Sequence, residues 1–323
     1  IMARCDVLAQ FTETPGQLTR TFLSEPMHGV HRQLKDWLEE AGMSVRVDAV
    51  GNIVGRYGAA HNNAPVFLIG SHLDTVRNAG KYDGMLGVLL GVATVKSLAG
   101  KRLPFALEVI GFSEEEGVRF GVPFIGSKAV TGQLDDDILR LKDAEGLTVT
   151  DALHQFGLDA ASVPAAAYKQ DDLLGFLEVH IEQGPRLASL GRALGVVSAI
   201  AGSSRASVSF TGKAGHAGTT PMSLRQDALA GAAAFISEVE RLAQNTSDLV
   251  ATVGMIEAVP GAINVIPGAA TLSLDVRHTE DSVRRSALTK LKGCAAEICE
   301  VRGLELGWQT LMDQKAVPMD PGL

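Results

Sequence analysis

Two imidazoles and a series of carboxylates recur in order along the chain, in the blocks His72-Leu73-Asp74, Tyr82-Asp83-Gly84, Glu114-Glu115-Glu116-Gly117 and Glu178-Val179-His180-Ile181-Glu182-Gln183-Gly184-Pro185. Imidazole nitrogen and carboxylate oxygen are the donors that a pair of divalent cations needs if it is to turn water into a nucleophile near neutral pH. The chain reads as a two-metal hydrolase.

Taken singly, each block has a plainer explanation. An Asp-Gly pair such as Asp83-Gly84 usually marks a turn. A lone histidine among Phe176, Val179 and Ile181, as His180 is, is more often a satisfied core residue. Three adjacent glutamates can be a solvated loop, but directly after the apolar run 105–112 they repel one another unless cations compensate them. In that case one glutamate of the run ligates while its neighbour moves the proton. Side chains two apart on an extended strand end point the same way, so Asp74 is expected to reach the far nitrogen of His72 and fix its tautomer.

These residues need elements to position them. Turn signals are followed by a helical pattern with Val30, Leu34, Trp37 and Leu38 on one face and Gly42 as its stop. Strands are predicted at 44–48, 53–56, 66–70 and 106–112, with a helix at 85–99. The run from Val66 to Phe112 is then a strand-helix-strand unit with parallel pairing. His72 and Asp74 fall past the carboxyl end of one strand and Glu114–Glu116 past the next, the edge at which open α/β sheets bind ligands. Residues 135–172 read as short helices and loops. From Arg205 the order is strand 206–212, helix 223–243, strands 250–258 and 269–277, helix 281–301 and strand 305–310, a ferredoxin-like split pattern. The fold class is therefore α/β: a mixed, largely parallel-sheet catalytic domain (1–202 plus 312–323) with an inserted α+β lid or dimerisation domain (203–311).

Composition narrows the partners. With 323 residues, 46% of them hydrophobic, the chain can bury a large core and suits two domains. A net charge of −8 without a basic patch argues against nucleic acid or an anionic membrane. Cys5, Cys294 and Cys299 form neither a metal-binding pair nor an even disulfide framework, which points to a reducing, cytoplasmic setting. No signal peptide is evident in the first ten residues. The longest apolar stretch, 84–100, carries Lys96 and several glycines, as suits a helix packed closely on a sheet.

The blocks together resemble a known family. Gly70-Ser71-His72-Leu73-Asp74-Thr75-Val76 through Tyr82-Asp83-Gly84, Glu115-Glu116-Gly117-Val118-Arg119-Phe120, His180-Ile181-Glu182-Gln183-Gly184-Pro185, Gly215-His216-Ala217-Gly218-Thr219-Thr220-Pro221-Met222 and Asn264-Val265-Ile266-Pro267 are similar to motifs of the ureido-cleaving amidohydrolases of the M20 metallopeptidase clan. That group contains allantoate amidohydrolase, N-carbamoyl-L-amino acid hydrolase and β-ureidopropionase. The resemblance implies a homodimer with two divalent cations per subunit, zinc or manganese, and a small-molecule ureido substrate. It makes His72, Asp83 and His180 ligands of one metal, with Asp83 and Glu116 at the second. Glu115 becomes the general base. Gln183, His216, Asn264 and Arg277 become substrate contacts, with His216 reaching into the partner subunit's site and able to stabilise the oxyanion. Arg277 suits a substrate carboxylate because its planar fork takes both oxygens. Without the family, a surface histidine and a strand-end ion pair would be the readings of His216 and Arg277.

Residues 78–87, Phe120-Gly121 and Gly126-Ser127 look most like the allantoate-cleaving members, whose products are ureidoglycine, ammonia and carbon dioxide. The alternative is hydrolysis of N-carbamoyl-L-amino acids; an M20 peptidase or aminoacylase, or an inactive scaffold, ranks below both. The family continues beyond Val317-Pro318-Met319-Asp320-Pro321 into a Gly-His-Asp type motif whose histidine completes the second metal site. A chain ending at Leu323 is expected to hold at most one metal tightly, with His278 and Glu114 as the replacement ligands to inspect, and to have little hydrolase activity.

Overall fold

The apolar run Val-Phe-Leu-Ile-Gly-Ser-His forms a strand buried along nearly all its length, as a central strand covered on both faces must be. The computed structural model describes residues 1–323, which divide into two units, Ile1–Arg192 and Ala193–Leu323. Residues 312–323 lie with the second unit.

In the first unit the helices α1 (Met2–Leu8) and α2 (Glu25–Glu40) precede strands β1 (Ser44–Val47), β2 (Ile53–Tyr57) and β3 (Val66–His72). Next come α3 (Met85–Ser97), β4 (Ala106–Phe112), three short helices α4 (Ile125–Val130), α5 (Asp136–Leu139) and α6 (Val149–Gln155), then β5 (Leu173–Leu177) and α7 (Arg186–Ser189). The sheet order is β1-β2-β4-β3-β5. β3 is parallel to both β4 and β5, whereas β1, β2 and β4 pair antiparallel. The sheet is thus mixed, with its parallel part under the site. α2 starts behind Ser24 with a proline in its first turn, and buries Met27, Val30, His31, Leu34 and Leu38 at helical spacing. α3 is apolar almost all round and packs on β3 and β4, with Met85, Val88, Leu89, Val92 and Val95 in the main core. No helix is long and apolar enough to cross a membrane.

The second unit contains β6 (Ala199–Ile200), β7 (Gly202–Thr211), β8 (Gly215–His216), α8 (Ala228–Gln244), β9 (Val250–Thr252), β10 (Ile256–Val259), β11 (Val265–Ile266), β12 (Ala269–His278), α9 (Asp281–Arg302), β13 (Glu305–Gln314) and β14 (Val317–Pro318). Its main sheet runs β10-β12-β7-β13, all antiparallel, with β9 also on β12. Alternation puts Ala206, Val208, Phe210, Leu272, Leu274 and Val276 in a core with α8 and α9, and leaves the opposite face without a helix.

Three sequence expectations shift. His72 is the last residue of β3 rather than beyond it. The helix predicted from Ser223 begins at Ala228, because Asp227 accepts the Ala230 amide and fixes the start there. The strand predicted over 250–258 divides into β9 and β10 around Val253–Met255, next to Gly254.

Candidate metal centre

β3 and β4 end in step, His72 opposite Phe112, so the loops after them leave the sheet at one edge. His72 is almost wholly buried there. Its Nδ1 lies 3.0 Å from the Asp74 carbonyl oxygen, and the Nδ1 of His180 lies 2.8 Å from the Ile181 carbonyl. A carbonyl only accepts, so both rings carry a proton on Nδ1 and leave Nε2 as the ligand atom of the neutral ring.

Those two Nε2 atoms face each other at 3.5 Å. Asp83 Oδ1 lies 3.1 Å from His180 Nε2 and 3.7 Å from His72 Nε2. Donors held at about 2.1 Å from a tetrahedral ion stand about 3.4 Å apart. The three ligand atoms therefore fit a divalent cation such as zinc. A second group of possible ligands, His72, Glu115 and Glu116, shares His72 with the first; each group has its donor atoms within 4.8 Å of one another. Glu116 thus joins Glu115 and His72, in a group that does not include Asp83.

Several local features build this arrangement. Gly84 has φ +73°, and a Cβ there would lie 2.5 Å from the His72 carbonyl oxygen and 2.6 Å from its ring, so the imidazole occupies the place of a side chain. A Cβ on Gly87 would meet the Val179 carbonyl at 2.3 Å; its absence lets α3 approach the segment that carries His180. Ser71 donates to Glu178, tying that same segment to β3. Arg20, fully buried, donates from its guanidinium to the carbonyls of Leu8, Phe11 and Leu73 and from its amide N–H to the Thr75 hydroxyl oxygen, which braces the loop after His72.

Asp74 departs from its expected geometry. Its carbonyl orients His72, while its carboxylate accepts the amides of Glu115 at 2.9 Å and Glu116 at 3.0 Å; the nearest approach of that carboxylate to His72 Nδ1 is 3.5 Å. Alternation fails because Leu73 and Asp74 lie past the end of the strand. Glu114 turns inward, its oxygens taken by the amides of Gly117 and Ile125, and His278 binds the Ser247 carbonyl in the second unit, so neither is presented as a replacement ligand.

The electrostatics favour a cation and a base. Burial resists charge on His72, yet hydrogen bonds to Asp74 and Asp83 outweigh it and push its pKa up to about 11. Burial raises Glu115 to about 7, aided by Glu116, Asp74 and Glu178 against the pull of His72. It raises Glu114 to about 8, and lifts Glu116 as well. A carboxylate near 7 is poised to take and return a proton at neutral pH.

Of the expected substrate contacts, Gln183 lies in the first unit, where its Nε2 donates to both oxygens of Asp83 at 3.1 and 3.0 Å. His216 sits on β8 opposite Val265, its Nδ1 accepting from the Gly218 amide, and the neighbouring Ala217 amide donates to the Asn264 carbonyl. Arg277 lies on the helix-free face of β12, paired through Nε and Nη2 with Asp275. Sequence reasoning missed Asp275, Arg205, Arg20 and the Ser71–Glu178 bond. An Asp two residues before Arg277 was the one visible signal.

Comparison with known proteins agrees with the motifs. Residues 198–302 match the peptidase dimerisation domain of the M20 family. The chain is 39% identical to an allantoate deiminase of Arabidopsis thaliana, over its whole length and 66% of the relative's. It is 38% identical to an N-carbamoyl-L-amino acid amidohydrolase of Geobacillus stearothermophilus, over 94% of this chain and 74% of the relative. A crystal structure of a hydantoinase/carbamoylase family amidase from Burkholderia ambifaria superposes with a TM-score of 0.93 at 34% identity, covering 99% of this chain and 79% of the other. The chain thus spans about two thirds to four fifths of the length of these proteins.

Proposed function

Because this chain belongs to the allantoate amidohydrolase and N-carbamoyl-L-amino acid hydrolase group of the M20 metallopeptidase clan, we propose that it carries out metal-dependent hydrolysis of a linear ureido C–N bond, with allantoate as the substrate. Water and allantoate would yield ureidoglycine, ammonia and carbon dioxide. The observation that carries the reading is the convergence of His72 Nε2, His180 Nε2 and Asp83 Oδ1 at the spacing of a tetrahedral ligand set.

His72, Asp83 and His180 would hold one cation, and Glu116 with Asp83 would serve a second, each zinc or manganese. Bound divalent ions supply Lewis acidity, lowering the pKa of water and polarising the ureido carbonyl. Glu115 takes the proton from the attacking water and returns it to the departing nitrogen, tasks suited to its raised pKa. Asp74 holds the Glu115 and Glu116 backbone in place during that exchange. Gln183, His216, Asn264 and Arg277 are the proposed substrate contacts, His216 as oxyanion donor and Arg277 as carboxylate partner. A homodimer formed through the second unit accords with its dimerisation-domain match.

Hydrolysis of N-carbamoyl-L-amino acids is the second reading, favoured by the likeness to the Geobacillus protein. Ammonia release from allantoate and from a series of carbamoyl amino acids, assayed with zinc or manganese, separates the two. Activity on neither, in a preparation with both metals bound, would defeat the ureidohydrolase reading.

A further inference from the structure

On the helix-free face of the second unit's sheet, Asp275 stands opposite Arg205 on β7 and two residues before Arg277 on β12. Its Oδ1 accepts Arg277 Nε at 3.0 Å, and its Oδ2 accepts Arg277 Nη2 at 2.9 Å and Arg205 Nε at 3.0 Å. Ser203 completes the carboxylate at 3.3 Å. Two guanidiniums thus share one carboxylate, leaving net positive charge beside a cavity of about 500 Å³ that Thr252, Ser273 and Leu311 also line.

A guanidinium has two forked edges. Asp275 occupies only the Nε/Nη2 edge of Arg277, so the end-on edge formed by Nη1 and the second hydrogen of Nη2 stays available to an anion. Both arginine side chains are about half exposed, at 50% and 49%, and would lose rotamer freedom on binding if nothing ordered them beforehand. Partial burial pulls the Asp275 carboxyl upward, but Arg277 and Arg205 outweigh it and hold its pKa below the usual carboxylate range. The anchor therefore stays charged throughout neutral pH.

We infer that Asp275 is the positioning residue of a carboxylate-recognition site, that it aims the end-on fork of Arg277 into this cavity, and that Arg205 is the second cation of the site. The inference rests on the reading of Arg277 as a substrate-carboxylate partner and adds to it the two residues that make the fork selective. Because the shared anion cancels one of the two positive charges, the site suits a ligand with a single carboxylate group.

Calorimetric titration of the metal-loaded chain with N-carbamoylglycine and with its neutral amide tests both levels separately. The unaltered chain should bind the acid at least about tenfold more tightly than the amide, and Arg277→Met should remove that preference. Asp275→Asn should cut the preference about fivefold while leaving amide affinity in place, a differential effect that a purely structural role does not produce. Arg205→Met should also reduce it, and carries the test if melting curves show that Asp275→Asn fails to fold. Should Arg277→Met abolish the preference while Asp275→Asn or, failing its folding, Arg205→Met leaves it intact, the positioning role is wrong and the Arg277 reading survives. A chain that never prefers the acid, or keeps its preference without Arg277, overturns both.

Discussion

Asp74 and Glu115 are joined across 41 residues of sequence by a 2.9 Å hydrogen bond from the glutamate amide to Oδ1, and the Glu116 amide takes Oδ2 at 3.0 Å. One buried carboxylate thereby fixes the backbone of both glutamates next to the histidine that ends β3. Asp74→Ala would leave two partly buried amides without that acceptor, at up to about 1–3 kcal/mol each, and chemical denaturation should show a loss of up to that order. Asp74→Asn keeps one acceptor and turns an N–H toward the other amide. It should retain the fold but lower turnover by at least about tenfold, because small misplacements of a catalytic group are costly. Wild-type turnover in Asp74→Asn would show that the glutamates are held by other means.

The adjacent glutamates should separate by readout. Glu115→Gln is expected to keep nearly full metal content while turnover falls by roughly two orders of magnitude, the usual scale of a general base. Glu116→Gln should instead lose metal, measured by elemental analysis after dialysis. The reverse pattern would exchange the two roles.

Gly84→Ala tests the close packing against His72. The new methyl would meet the His72 carbonyl oxygen at 2.5 Å in a backbone conformation with φ +73°. A stability loss of at least about 1 kcal/mol is expected from the backbone alone. Metal affinity should fall as well, because the ring must move; unchanged affinity by competitive chelator titration would mean that the imidazole tolerates displacement.

His31 should make the protein acid-sensitive away from the metal centre. It lies buried on α2, edge-on to Phe156 with ring centroids 5.3 Å apart, and its Nε2 has no hydrogen-bond partner. Burial, then the nearby charges of His28 and Arg20, lower its pKa from 6.5 to about 4. Above about pH 6.5 the ring is neutral in both folded and unfolded chains, so it contributes no pH dependence. Between about 6.5 and 4 the unfolded chain binds the proton and the folded chain does not, and stability falls by about 2.5 kcal/mol by pH 4.5. Urea denaturation at pH 7.5 and 4.5 should show a drop smaller by that amount in His31→Leu. Equal drops in the two proteins would place the acid sensitivity elsewhere.

Much of the candidate metal centre was legible because its residues occur as blocks at strand ends, where residue type and order carry the information. His72, Asp83 and His180 converge as their blocks suggested, and the strand-helix-strand unit that presents them follows from apolar periodicity. Asp74 was harder to read: its orientation depends on where β3 stops, and that strand end is set by pairing with β4, His72 opposite Phe112. The start of α8 turned on Asp227 acting as a cap, while the helical pattern alone extended further back. Arg277 invited two readings from sequence, an ion pair or a ligand contact. The pair with Asp275 is present, and its one-edged geometry is compatible with both, a distinction that only atomic positions supply.

The shared register of β3 and β4 has a consequence for how this protein can change. His72 lies opposite Phe112, so the distance from the first imidazole to the glutamate run is measured out by strand residues, each advancing about 3.3 Å. Inserting or deleting one residue within β4 would shift the run by about the full width of a ligand set and turn its side chains to the opposite face. Divergence around this centre is therefore restricted in chain length. Composition is constrained as well, because both strands are buried and a Cβ on Gly70 would lie 2.0 Å from the Ile110 carbonyl oxygen.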